Sequence, residues 1–430
     1  VKVAQFSGYV SEHSGYHHGE ASLNGAIVGM AQNYVGSNNI HLLMPNGQFG
    51  TRLEGGKDSA SERYIFTMLN PITRFIFPSA DDNILTYLND DGLYVEPIYY
   101  APIIPMILVN GSKGIGTGFS TEILCYNPLD IIQYLQLKLS SQEPSIDFIP
   151  YYDGFTGSIT KVNESKFLVK GKYEEIGTDK IKIIELPIGT WTSDYKEFLE
   201  TLMDNTDKTG KKVSPLLKDV ENMSTDVNVS FIIHFQKGKL EEIKKEENGI
   251  EKTFKLTCTL STTNMHLFNS QEKLTKYNSI TEIIDNFYDC RLTMYRKRKD
   301  YLLDFLRKEL CILSNKAKYI LEVLEGTIDL RRMKKDDIHN MLFQKKYDEI
   351  DEFKYLIKMP MDSVSEENIK RILKEKENKE LELSLLMKKT IQQLWLEELE
   401  VLKEKYIEFK KEKTTLISSI KIVKKPKTKK

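Results

Sequence analysis

Gly55-Gly56-Lys57-Asp58-Ser59-Ala60-Ser61-Glu62-Arg63-Tyr64 sets a tyrosine directly after an arginine, behind a glycine-rich loop with a lysine and two acids. A phenol ordinarily titrates near pH ~10, so tyrosine is a rare nucleophile. To attack at neutral pH it needs help in losing its proton. It also needs a cation to steady the charge that develops on the atom it attacks. The planar fork of an arginine matches phosphate oxygens. Arg63-Tyr64 therefore points to attack on a phosphodiester. Taken alone, the dipeptide also reads as a surface pair opening an amphipathic helix.

The segments upstream add partners for such a reaction. Gly47-Gln48-Phe49-Gly50-Thr51-Arg52-Leu53-Glu54-Gly55-Gly56-Lys57-Asp58 holds four glycines in ten residues, which permits close approach of backbone to a ligand. Arg52 and Lys57 would supply charge beside Tyr64, and the GK[ST] ending of a Walker loop is missing. The competing reading is a flexible loop. Tyr16-His17-His18-Gly19-Glu20 has adjacent histidines, which do not share a helix face, so a metal site from these two alone is disfavoured. Hydrogen bonding to phosphates at a helix start suits them better, with packed or capping histidines as the alternative.

Downstream, Asn110-Gly111-Ser112-Lys113-Gly114-Ile115-Gly116-Thr117-Gly118 has G-x-G-x-G spacing and not the dinucleotide-binding G-x-G-x-x-G. A branched apolar side chain framed by glycines on a tight turn can wedge between stacked bases and kink a duplex. Alternatively, Ile115 plugs a local core.

At 430 residues the chain is expected to hold two or three domains. Lys+Arg 61 nearly cancels Asp+Glu 62, so global charge gives no support to a nucleic-acid partner. Residues 1–130 are locally acidic, with six basic side chains against twelve acidic ones. Any DNA contact there must use a small basic site or a neighbouring segment. Cys125, Cys258, Cys290 and Cys311 are far apart without a CxxC, which argues against zinc or disulfide frameworks and fits a reducing compartment. No membrane-spanning apolar run or signal peptide is seen, and the opening valine reads as part of a longer polypeptide.

Three textures follow one another. Residues 1–140 mix glycine turns with helical patterns predicted over 24–34 and over 61–77, the second kinked or restarted at Pro71 and ended by Pro78. Residues 141–272 carry strand signals at 167–171, 180–184, 227–235 and 254–260, helical spacing at 191–204, and a polar run at 237–251 that reads as an exposed turn or solvated helix. Residues 273–415 are almost wholly helical. One stripe runs from Ile284 through Tyr295 and Leu306 to Leu324, and another from Ile391 through Trp395 to Phe409. Two such stripes suggest an antiparallel coiled-coil pair with a globular end, an ordinary helical bundle being the alternative. The tail 416–430 is basic and expected to be disordered, a nuclear signal or weak DNA tether.

Together VKVAQFSGYVSEHSGYHHGE, AQNYVGSNN, PNGQFGTRLEGGKDSASERYIFTML, VEPIYYAPIIPMILVNGSKGIGTGF and ELPIGTWTSDYKE, with DKTG and, farther on, YLIKMPMDSVSEENI, resemble the eukaryotic-type DNA topoisomerase II family. The resemblance implies an α+β multidomain fold: a winged-helix domain (1–140), a β-rich tower domain (141–272), and a long antiparallel coiled coil with a helical exit-gate domain (273–415). It implies that Tyr64 is the nucleophile joined to a 5′-phosphate and that Arg63 stabilises the pentavalent transition state. Ile115 would be the intercalating wedge, Tyr16, His17 and His18 would lie near the DNA backbone, and Arg52 and Lys57 near the scissile phosphate. The implied partners are double-stranded DNA and a second copy of the chain, meeting through the exit gate and the winged-helix region. Mg2+ and ATP would serve the full-length enzyme, bound by Toprim and ATPase domains that have no counterpart in this sequence; none of its residues is assigned as a metal ligand. The chain alone is then expected to bind DNA weakly and cleave poorly. A nuclear location is implied, or a viral or host compartment for a large DNA virus. The alternatives are a relative of bacterial gyrase A or topoisomerase IV, a non-catalytic DNA-binding relative, and a purely structural coiled-coil protein.

Overall fold

The computed structural model describes residues 1–203, 215–331, 333–360 and 365–423. The DKTG motif at 207–210, part of the 355–369 motif and most of the basic tail lie outside the described residues. The chain divides into two compact units, one of Val1–Arg291 with Leu396–Lys430 and the other of Leu292–Trp395.

The first unit begins with two packed helices, Val3–His13 and Glu20–Ala31. Their apolar residues Val3, Leu23, Ile27 and Ala31 close a small core with Leu43, Phe49 and Ile65. The pattern over 61–77 is not one helix: only Thr73–Ile76 is helical. Backbone groups in this stretch are taken by extended neighbours, with Ile65 O accepting from Val3 N (3.0 Å), Thr67 N donating to Val1 O (2.8 Å), and Phe66 exchanging hydrogen bonds with Asn46. Ile65 and Thr67 point inward while Phe66 and Met68 are exposed, which is the alternation of a strand. The i, i+3, i+4 spacing of Ile65, Met68 and Leu69 imitated a helix face, but tertiary pairing decides the conformation.

Beyond two exposed hairpins, Tyr87–Asp90 with Leu93–Pro97 and Ser112–Gly116 with Phe119–Ile123, comes the helix Pro128–Leu139. Proline opens this helix and Asn127 Oδ1 accepts from Leu129 N, a normal N-cap. A four-stranded antiparallel sheet follows in the order Lys172–Gly177, Lys180–Glu185, Phe231–Phe235, Leu217–Asn222. Ile181, Ile183, Phe231 and Ile233 bury one face against Tyr195 and Leu199 of the helix Thr192–Met203. A three-stranded sheet orders Thr257–Ser261, Lys166–Lys170 and Ser158–Asn163. Two expected strands are shorter than their alternation suggests. Val229 precedes its strand, while Phe254 and Leu256 precede Thr257–Ser261; all three are buried without pairing in a strand. The polar run forms two short helices, Lys239–Lys244 and Gly249–Thr253.

The long helix Ile280–Leu324 starts in this unit. Its Arg291 is buried and donates to Asp81 Oδ2 (2.7 Å) and Ala101 O (2.8 Å). The two stripes each span both units: Ile280–Arg291 of the long helix belongs to the first unit and Leu292–Leu324 to the second. From Leu396 onward, the helix Ile391–Val423 belongs to the first unit. There Lys410 donates to Tyr151 Oη (2.7 Å) and Lys413 to Asp153 Oδ2 (2.6 Å).

Asn39 ties this region together. Its amide donates to Val109 O, Tyr151 O and Tyr126 O, and its Oδ1 accepts from Asp153 N. Beside it the His41 imidazole is pushed down to about 4 by burial and by Lys413, against the pull of Asp153. Above the ordinary histidine value near ~6.5 the ring is neutral both folded and unfolded and contributes nothing to a pH dependence. As pH falls from there toward 4 the unfolded chain takes up the proton first, so the fold loses up to roughly 3 kcal/mol. Urea midpoints should therefore drop between pH 7 and pH 5, and His41→Gln should flatten the drop. Asp153 adds a second, more acidic window. Burial would raise its carboxyl, but Lys413 and Lys410 outweigh burial and hold it below its ordinary value.

The second unit is helical apart from its turns. Along Ile280–Leu324, Tyr295 stacks on Trp395 (5.4 Å), Lys299 donates to Lys389 O (2.5 Å), Glu309 pairs with Lys379 (3.0 Å), and Ala317 and Ile320 meet Ile369 and Ile372. Rising numbers on one side meet falling numbers on the other, so the helices run antiparallel. The main partner is Glu366–Lys388, with only the start of Ile391–Val423 joining it. A smaller core of Tyr319, Ile328, Leu342, Tyr347, Phe353 and Leu356 closes the far end.

Candidate nucleic-acid interface and nucleophile loop

The glycine-rich loop is built and not slack. Asp58 accepts from Thr51 N (2.8 Å), Thr51 Oγ1 (2.5 Å) and Gln48 Nε2 (3.2 Å). Gln32 Nε2 reaches in from the end of Glu20–Ala31 to donate to Phe49 O (3.0 Å). Two positions need glycine outright. At Gly55 (φ +61°) a Cβ would lie 2.4 Å from the Trp191 ring, and at Gly50 (φ +99°) 2.6 Å from the Gly56 backbone. Trp191 leads into the helix Thr192–Met203, whose first N–H groups donate to Arg52 O and Leu53 O. The loop is thus seated on the start of that helix.

Arg52 is not placed to meet a phosphate. Its side chain is buried and donates to Glu185 Oε1 (2.5 Å), whose other oxygen accepts from Thr156 N and Thr156 Oγ1. A guanidinium desolvated and paired inside the protein is a structural fastener. Sequence spacing placed it beside Tyr64, but Glu185 lies 133 residues away and was invisible as its partner.

At the loop's exit Tyr64 N donates to Ser61 O (2.9 Å), and its side chain is 78% exposed. The inward neighbour Ile65 is buried, so the chain is anchored one residue past the phenol. Arg63 is exposed and borders a polar groove of about 490 Å³ whose walls include Glu20, Asn24, Gln32, Ser59 and Glu62. It makes no ion pair with a described residue. Lys57 is exposed on the same loop. Tyr16 is half-buried against the core of the two N-terminal helices, with its ring edge-on to His18 (5.4 Å). His17 and His18 are exposed just before Gly19, the N-cap of Glu20–Ala31. Ile115 stands opposite Ser120 beside the hairpin turn and is 93% exposed, so it plugs no core.

Sequence reasoning missed the residues that hold this loop: Gln32, Asp58, Trp191 and Glu185. Trp191 stands within ELPIGTWTSDYKE, and its signal is the pairing of a lone large aromatic with glycines that need space. Among the described residues the cluster of three or more metal-ligating side chains is Asp219, Glu221 and His234, which includes no residue of the nucleophile loop. No described helix is long and apolar enough to cross a membrane.

The family model for the A-type chain of DNA gyrase and topoisomerase IV matches residues 1–400. DNA topoisomerase 2 of Caenorhabditis elegans is 40% identical over 450 residues, covering 93% of this chain and 29% of the relative. DNA topoisomerase 2 of Arabidopsis thaliana is 40% identical, covering 94% and 30%. The chain thus spans under a third of these relatives' length. A solved structure of the Plasmodium falciparum topoisomerase II DNA-binding, cleavage and re-ligation domain superposes with a TM-score of 0.89 at 40% identity, covering 97% of this chain and 59% of the other. The chain therefore belongs to the type II topoisomerase family, matching the breakage-and-reunion part of its eukaryotic members.

Proposed function

We propose that this chain is the DNA-breaking and rejoining part of an ATP-dependent type II topoisomerase, acting on double-stranded DNA as a homodimer, in the nucleus for a eukaryotic source. The observation that carries the reading is the exposed phenol of Tyr64, beside unpaired Arg63, on a loop pinned at Asp58, Gln32 and Trp191. The Tyr64 oxygen attacks a backbone phosphorus and its proton leaves to solvent or a base. The Tyr64 O–P bond forms as the P–O3′ bond breaks, and the released 3′ oxygen takes up a proton. Arg63 braces the equatorial oxygens as negative charge gathers on them. One phosphodiester replaces another, so resealing is the same step reversed. Each copy of Tyr64 opens one strand, and a double-strand break needs two copies. The segment 1–140 serves as the winged-helix domain, 141–272 as the tower, and 273–415 as the coiled coil and exit gate that keeps the dimer together. The family in general needs Mg2+ and ATP, which we place with other parts of the full-length enzyme. Lys57, His17 and His18 face solvent as phosphate contacts would, with Tyr16 packed behind them.

The test is denaturing capture. The full-length enzyme carrying this segment, quenched with detergent on end-labelled duplex DNA and strand-separated, should retain 3′-end label on the polypeptide, because the protein holds the 5′ phosphate of each broken strand. Retention of 5′-end label in its place, or of none, would overturn the reading. Ile115 supplies an independent check. Ile115→Ala should leave stability within about 0.5 kcal/mol, because the side chain touches solvent. It should also reduce the bend of bound DNA by end-to-end FRET; an unchanged bend would remove the wedge role.

A further inference from the structure

The four-stranded sheet of the first unit buries one face; the other carries charged side chains with no part in the proposed DNA chemistry. In the antiparallel register His234 stands opposite Asp219, and Ile232 stands opposite Glu221. Opposed residues, and residues two apart on a strand, share a face. Asp219, Glu221 and His234 therefore converge at the sheet edge, since Leu217–Asn222 is an outer strand. Their ligating atoms all lie within 4.8 Å of one another, and His234 Nε2 is 2.7 Å from Glu221 Oε1. The His–Glu hydrogen bond accounts for two of the three groups. The second carboxylate, Asp219, accepts from Val220 N (2.9 Å) through Oδ1, which leaves its other oxygen available beside the His–Glu pair, where a cation would relieve the repulsion between the two carboxylates.

We propose that Asp219, Glu221 and His234 bind a divalent transition-metal ion of the zinc class, with water completing its coordination. One imidazole and two carboxylates form a mixed nitrogen–oxygen set. Such a set suits Zn2+, Co2+, Ni2+ or Cu2+, whereas Mg2+ keeps oxygen ligands and its own water. Small rotamer changes close the three atoms onto an ion at bond lengths of roughly 2.0–2.2 Å. The ion would clamp the outer strand to Phe231–Phe235, giving it a fastening role. Lys180 and Lys182, opposite His234 and Ile232 on the other neighbouring strand, carry positive charge on this face and moderate the affinity. The site is independent of the nucleophile loop and of the proposed DNA chemistry.

The experiment is equilibrium dialysis of the metal-stripped full chain against micromolar Zn2+, with bound metal counted per chain and thermal unfolding followed with and without Zn2+. The expected result is one bound equivalent and a raised unfolding temperature. Both should be lost in His234→Ala and weakened at least tenfold in Asp219→Asn and in Glu221→Gln. Co2+ should bind in competition with Zn2+ and give a visible spectrum that the His234→Ala chain lacks. Several outcomes would overturn the site: no binding, binding unchanged in His234→Ala, binding insensitive to both carboxylate variants, or displacement by equimolar Mg2+. Because Asp219 and Glu221 are exposed and His234 is half-buried, the carboxylate variants are expected to fold, and unfolding temperatures without metal show whether all three do.

Discussion

Tyr64→Phe in the full-length enzyme is expected to abolish the protein–DNA adduct, lowering cleavage by roughly 10⁴-fold or more. Only one oxygen is removed, and it lies on a side chain 78% exposed, so stability should move by less than about 0.5 kcal/mol. Loss of chemistry is then separable from loss of fold. DNA binding, read by mobility shift, should persist, because the phosphate contacts proposed for Lys57, His17 and His18 do not pass through the phenol. Arg63→Ala should slow cleavage by about 10²–10³-fold, the range for removing one preorganised charge stabiliser. Its effect should fall on the rate of adduct formation and spare the amount of DNA bound. A Tyr64→Phe enzyme that still carried covalently attached DNA would place the nucleophile elsewhere.

The largest expected effect on stability is at Glu185. Glu185→Ala leaves Arg52 buried with its guanidinium unpaired, at a cost of about 3–5 kcal/mol. It also removes the acceptor for Thr156 N, Thr156 Oγ1 and Leu186 N. Denaturant midpoints should show the loss directly. Glu185→Gln keeps oxygen for one acceptor role and should fall between wild type and Ala. Because Arg52 O and Leu53 O receive the first N–H groups of Thr192–Met203, and Trp191 underlies Gly55, loosening this fastener should also move the loop that ends at Tyr64. Adduct yield in Glu185→Gln should therefore drop at temperatures well below its unfolding transition. Equal yields for Gln and wild type would show that the pair supports the fold alone.

Presentation to solvent was legible where a residue stands alone. Tyr64, Arg63, Lys57 and Ile115 are all presented to solvent, and each stood out by type and neighbours. Strands flanked by polar residues, such as Lys166–Lys170 and Lys180–Glu185, were read from alternation because one face is buried. What failed shares one physical cause. Arg52 looked like a phosphate ligand because its partner is remote in sequence. The stretch 61–77 looked helical because Val1, Val3, Met44 and Asn46, which hold its backbone extended, lie far upstream. Nothing in the sequence marks Asn39, yet its side chain joins carbonyls of Val109, Tyr126 and Tyr151. The second helical stripe is divided between the two units at Leu396, a boundary that periodicity does not encode.

That division has a consequence for biosynthesis. Asp153 waits for Lys413, 260 residues later, before its ion pair exists, and Tyr151 waits as long for Lys410. A ribosome exposes the Leu292–Trp395 helices before the later part of Ile391–Val423, which completes the earlier unit. The usual amino-terminal-first order of domain maturation is thereby reversed. A chain stalled or truncated short of residue 396 would carry an assembled helical hairpin on an unsealed body, a natural target for chaperones and proteases.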